Sequence, residues 1–166
     1  MSAFLLALPI VQATSAAPSG DPAQPAPACA AIDQSLPAEL AGWTSTGERL
    51  TSGNAVTLQG VQEPTPPGGH PGLGATIAFS VPMNGVYGIA LDQAGWIEVQ
   101  PVMDQGPARP LRSVGHEHAP ACSTIHKIVR FELNAGTYYS LSLSGLQNPT
   151  ARAMLVAPPP PAPPAQ

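Results

Sequence analysis

Charged side chains are scarce in this chain: Asp, Glu, Lys and Arg together make up 10% of 166 residues, and the formal net charge is −4. The six Lys and Arg stand singly, so no stripe of them can neutralise a phosphate backbone, and no nucleic-acid partner is expected. Aromatic residues are also few, at 5%. Phe79, Tyr87, Phe131 and Tyr139 fall inside apparent strands, where core packing is their natural use, and they lack the basic neighbours that base stacking wants. No long apolar run occurs either. Residues 4–11 are apolar but too short to span a bilayer, so no transmembrane segment is expected. A sustained 3.6-residue period is missing as well, apart from one short helical candidate around residues 35–41, with Ser35 as its cap. Cysteine is limited to Cys29 and Cys122. In an oxidising compartment the simplest reading of such a pair is one disulfide, closing a loop of nearly the whole domain and contributing about 4 kcal/mol on the chain-entropy account.

Proline and glycine, by contrast, are abundant, at 22 and 16 residues. Residues 1–17 read as an export signal, with an apolar middle and the small residues Ser15-x-Ala17, although only the chain's own amino group supplies positive charge before it. A periplasmic or secreted protein is the expectation. Residues 18–31 form a Pro/Ala-rich arm and residues 158–166 a Pro-rich tail, whose prolines cannot donate ladder hydrogen bonds. Between them, residues 32–157 read as one β domain.

Short runs repeat through that domain between Gly, Pro and Asn turns: "NAVTLQGV", "GATIAFSV", "VYGIAL", "WIEVQPV", "PLRSV", "HKIVRFEL", "TYYSLSLS" and "TARAMLVA". Seven or eight such strands predict an all-β fold, an antiparallel β-sandwich of jelly-roll-like form. Period-two alternation puts Ile77, Phe79 and Val81 on one face, and likewise Val129, Phe131 and Leu133, and Tyr139, Leu141 and Leu143. Each such face needs a second sheet to cover it. The connector "NAG", residues 134–136, reads as a hairpin turn with Gly136 at positive φ. Residues 62–74 and 115–124 read as long loops, where binding functions concentrate.

The second of those loops carries the one chemical cluster. His116 and His118 are two apart, so an extended backbone presents both imidazoles to one side and Glu117 to the other. His126 follows across a turn. Three neutral imidazoles suit zinc, copper or iron and leave a coordination position open for water or substrate. The plainer alternative is three loop histidines bonded to backbone or solvent. If both long loops reach the same end of the sandwich, His70 joins the group. Neither Ser113 nor Ser123 lies in a Gly-x-Ser-x-Gly elbow, which argues against a serine nucleophile. Trp96 shares a face with Glu98, opposite Ile97 and Val99, which places it towards solvent or a sheet edge, available to a sugar or a partner protein. The plainer reading is that it covers the end of the sandwich or lies beneath the N-terminal arm.

The segment "KIVRFELNAGTYYSLSLSG", with the earlier "GVYGIALDQAGWIEV", resembles the strands of bacterial pre-peptidase C-terminal type domains over about residues 75–157. That resemblance implies a jelly-roll-like sandwich of accessory or binding type, often secreted. "SVGHEHAPACSTIHKIVRF" also resembles a group of small exported α-proteobacterial proteins with a GHxHxPxC segment, some of which carry a homogentisate 1,2-dioxygenase label. In such dioxygenases the iron takes two histidines and a glutamate. Here the His116-x-His118 pair is similar, but the Glu expected a few residues later is missing and Cys122 stands nearby. The expectation is an exported β-sandwich with a binding, envelope-structural or interaction role, its partner an envelope protein or a glycan. The alternative is a metal-dependent oxidoreductase using the histidines.

Overall fold

The computed structural model describes residues 31–62, 70–103 and 109–159. The signal reading of residues 1–17, nearly all of the N-terminal arm, Cys29 and the tail beyond residue 159 lie outside the described residues. Among those described, no helix is long and apolar enough to cross a membrane.

The fold is an all-β sandwich. A 3-10 helix at Ala38–Thr44 is followed by ten strands: β1 (Thr46–Gly47), β2 (Ala55–Gln59), β3 (Val61–Gln62), β4 (Leu73–Ser80), β5 (Gly85–Leu91), β6 (Trp96–Pro101), β7 (Gly115–His118), β8 (Lys127–Leu133), β9 (Tyr138–Leu146) and β10 (Thr150–Val156). They form a six-stranded sheet in the order β1-β2-β10-β5-β8-β7 and a four-stranded sheet in the order β3-β4-β9-β6. All pairings are antiparallel except the short β1–β2 contact.

The main core lies between the sheets. Ile89, Leu91, Phe131 and Leu133 from the larger sheet meet Phe79, Val99, Leu141 and Leu143 from the smaller one, all buried. Thr76, Ala78 and Ser80 face solvent, as period two requires of a sheet covered on one side.

Four sequence expectations need correction here. Residues 134–136 do not close a hairpin, because β8 and β9 belong to different sheets. Their apolar faces pack towards each other across the core, so the turn carries the chain from one sheet to the other. Tyr139 Oη accepts the Asn134 N–H at 2.8 Å and Asn84 Oδ1 accepts the Ala135 N–H at 2.8 Å, while Gly136 takes φ +77°. Residues 110–114 are not a strand, and residues 115–118, expected as loop, are β7. The alternation signal was silent there, because every side chain from His116 to His118 is exposed. The helical turn also starts later and reaches further than residues 35–41, following Pro37 rather than a Ser35 cap.

The central strands of the larger sheet are buried on both faces. Its outer face carries Ala55, Ala90, Ile128, Met154 and Val156, covered by Leu40 and Trp43 of the 3-10 helix and by Ile125. This second layer explains the unbroken apolar runs "GIAL" and "AMLV" in β5 and β10, since a central strand with no solvated face does not alternate.

Candidate functional site

Among the described residues, one long edge of the sandwich is left open between β6, the last strand of the small sheet, and β7, the last strand of the large one. The chain leaving β6 crosses this gap. Leu111 donates its N–H to the Val99 carbonyl of β6 at 2.7 Å, and Val114 donates to the Arg130 carbonyl of β8 at 2.8 Å. The short stretch between them thus steps from one sheet to the other, with Leu111 packed against the core. Pro110, just before it, has no N–H to donate to a ladder.

Over this crossing lies a groove of about 370 Å³. Ile97, Pro110, Leu111, Val129 and Phe131 supply apolar lining; Trp96, Glu98, Ser113, His116 and Lys127 supply the rest. Lys127 reaches from β8 to donate a hydrogen bond to the Gly95 carbonyl, tying the start of β6 to the opposite sheet. Burial of the ammonium pushes its pKa below the usual lysine value.

Trp96 is 54% exposed at the start of β6. His70 stacks on its indole, with ring centroids 3.8 Å apart and planes 9° from parallel. Gly145 makes room for the stack. It holds φ +64°, and a Cβ there would stand 3.4 Å from both His70 Cβ and Trp96 Cδ1.

The remaining histidines are distributed differently. His116 and His118 lie on one side of β7, both exposed, with ring centroids 5.6 Å apart and planes at 85°. Glu117 takes the other side, where Arg130 grips it with both Nε and a terminal nitrogen, the latter at 3.0 Å. That guanidinium holds the Glu117 carboxyl below its usual range. His126 donates its backbone N–H to the Leu91 carbonyl at 2.7 Å, and its exposed side chain precedes Lys127, so alternation sends it to the face opposite His116 and His118. The structure brings His116 and His118 together and leaves His126 apart, and among the described residues no set of three His, Cys, Asp or Glu side chains could hold a metal ion. His70 meets Trp96 rather than the histidine pair, although Trp96 and His116 line the same groove.

A second polar assembly, unforeseen from the sequence, seals the far side of the large sheet. Trp43 is 1% exposed and donates its indole N–H to Thr124 Oγ1 at 2.8 Å. The Arg152 guanidinium lies 5.5 Å from the centre of the Trp43 ring and donates to the Trp43 carbonyl at 2.6 and 3.1 Å. Asp33 accepts hydrogen bonds from the Thr124 amide at 2.9 Å, the Thr124 hydroxyl at 2.5 Å and the Ser123 hydroxyl at 2.9 Å. Burial alone would push the Asp33 carboxyl up, but these bonds and the charge of Arg152 outweigh it and hold it below its usual value. Asp92, beside the same pocket, goes the other way: burial pushes it up against the backbone bonds it accepts. These partners come from residues 33, 43, 124 and 152, and no local pattern links positions so far apart.

No protein-family model matches the chain, and neither a curated protein nor a solved structure matches it.

Proposed function

We propose that this protein is an exported β-sandwich binding module that takes a glycan in the groove between β6 and β7. The observation that carries the reading is Trp96: a large aromatic ring left 54% exposed on a sheet edge, with its plane set by a stacked imidazole. A sugar ring offers an apolar C–H face and a rim of hydroxyls. The indole suits the face; Glu98, Ser113 and His116 beside it suit the rim. A ring already held by His70 and Gly145 loses little freedom on binding, which favours affinity. The resemblance to pre-peptidase C-terminal type domains points to the same accessory class.

Export follows from the leader-like residues 1–17, and with it a Cys29–Cys122 disulfide. No described cysteine is a free thiol. Asp33, four positions after Cys29, donates its N–H to the Cys122 carbonyl at 3.0 Å, which brings the chain within reach of that bond. Asp33 and Cys122 are also the two described non-glycine residues at positive φ, so both ends of this junction are tightly constrained.

Affinity electrophoresis through gels containing soluble polysaccharides, with pull-down on insoluble peptidoglycan and chitin, tests the glycan reading. At least one polysaccharide retards the wild-type protein, and Trp96→Ala weakens that binding by about tenfold or more. Equal retention of both proteins would move the site elsewhere; no retention by any polysaccharide would remove the glycan from the proposal.

A further inference from the structure

We propose that His116 and His118 form a two-histidine anchor for a divalent transition-metal ion, copper(II) or zinc(II), on the rim of the groove. The inference does not depend on what the groove itself binds. It rests on the placement of the two rings.

Both residues stand on an edge strand whose far side has no neighbouring strand among the described residues, and both are exposed, so an ion reaches them from solvent without desolvating a buried pocket. Their separation suits chelation. Two imidazole nitrogens sharing one metal at about 2.0–2.1 Å put the ring centres roughly 5 Å apart. The ring centres of His116 and His118 are 5.6 Å apart, close to that separation, and rotation about their side-chain bonds can aim one nitrogen of each at a shared ion. Strand pairing with β8, His116 across from Val129 and His118 across from Lys127, fixes the backbone that carries them.

The charges facing the pair permit a cation. Lys127, across from His118, directs its ammonium to the Gly95 carbonyl. Glu98 lines the same groove as His116 and offsets that charge, while Glu117 is committed to Arg130 on the opposite face. With two protein ligands the ion keeps coordination positions for water or for a donor atom from a groove ligand. Copper(II) binds more tightly than zinc(II), in line with the general order for divalent first-row metals.

The test uses untagged full-length protein titrated with copper(II), followed by electron paramagnetic resonance, and with zinc(II), followed by calorimetry. One ion per chain binds, and the copper spectrum carries nitrogen hyperfine structure from two imidazoles. His116→Ala and His118→Ala each weaken uptake by about tenfold or more, whereas His126→Ala and His70→Ala leave it unchanged. Circular dichroism confirms that each variant retains its β signal. As a measurement free of substitution, substoichiometric copper(II) added to the wild type broadens the NMR signals of His116 and His118 before those of His126. Failure to take up either metal stoichiometrically, uptake that survives the double substitution, or first broadening at His126 overturns the proposal.

Discussion

Trp43 and Trp96 are chemically identical and occupy opposite extremes of exposure, 1% against 54%. Each touches a flat or charged neighbour, yet the neighbours do different work. Around Trp43 every partner closes a gap: Thr124 takes the indole N–H, Arg152 lies near the ring and binds the backbone carbonyl, and Leu40 packs alongside in the same apolar layer. Around Trp96 the single stacked partner, His70, supports the ring without enclosing it, and the groove remains open beside it. A tryptophan whose polar atom and faces are satisfied internally is a stability element. One whose plane is fixed while its surface stays wet is what the proposed glycan site requires.

The sharpest way to break this contrast is to truncate both rings. Trp43→Ala leaves a cavity under the large sheet and costs about 3–5 kcal/mol, whereas Trp96→Ala changes stability by no more than about 0.5–1 kcal/mol. Urea denaturation followed by circular dichroism measures both. Comparable losses at the two positions would mean that Trp96 is also a packing residue.

The turn between β9 and β10 depends on a buried polar side chain, Gln93, at 6% exposure. Its amide donates to the Thr150 carbonyl at 2.8 Å and accepts from the Gln147 and Asn148 amides at 3.0 and 2.9 Å, shaping the β9–β10 turn. Gln93→Leu leaves those groups unpaired and costs about 2–3 kcal/mol in the same denaturation experiment.

Acid should act on the closed side through Asp33. Its folded-state pKa is depressed, so its stabilisation is fully present above the ordinary aspartate value of about 3.9 and is lost as pH falls through the folded value. Asp33→Asn therefore lowers stability at neutral pH and flattens the loss on acidification, read as thermal midpoints between neutral pH and about pH 2. Asp92, raised by burial, has the opposite sign: its ionised form opposes folding at neutral pH, and that opposition is relieved as pH falls. The smallest effect belongs to the side of β7 that faces away from the groove. The Glu117–Arg130 pair is solvent-accessible, and Glu117→Gln costs about 0–1 kcal/mol, a difference that shrinks in high salt.

How much of this could be read in advance follows from the range of each interaction along the chain. The faces of β4, β8 and β9 were legible because a strand with one dry side alternates over neighbouring residues. β7 was not, because neither of its sides is dry, and the β8–β9 turn was misread because a short Gly-containing connector looks the same whether it joins strands within a sheet or between sheets. At the site, the common side of His116 and His118 follows from a two-residue spacing, and the edge placement of Trp96 from its parity with Glu98. The stack of His70 on Trp96, the Lys127–Gly95 tie and the Asp33–Thr124–Trp43–Arg152 assembly join distant positions and leave no local mark.

With only two tryptophans in the chain, their indole N–H signals in a ¹H–¹⁵N spectrum report the two regions separately. Titration with the polysaccharide fragment that best retards the protein should shift the Trp96 signal saturably, with the backbone amides of Glu98 and His116, while the Trp43 signal stays in place. A saturable shift at Trp43 with none at Trp96 would contradict the assignment of the open groove as the binding site.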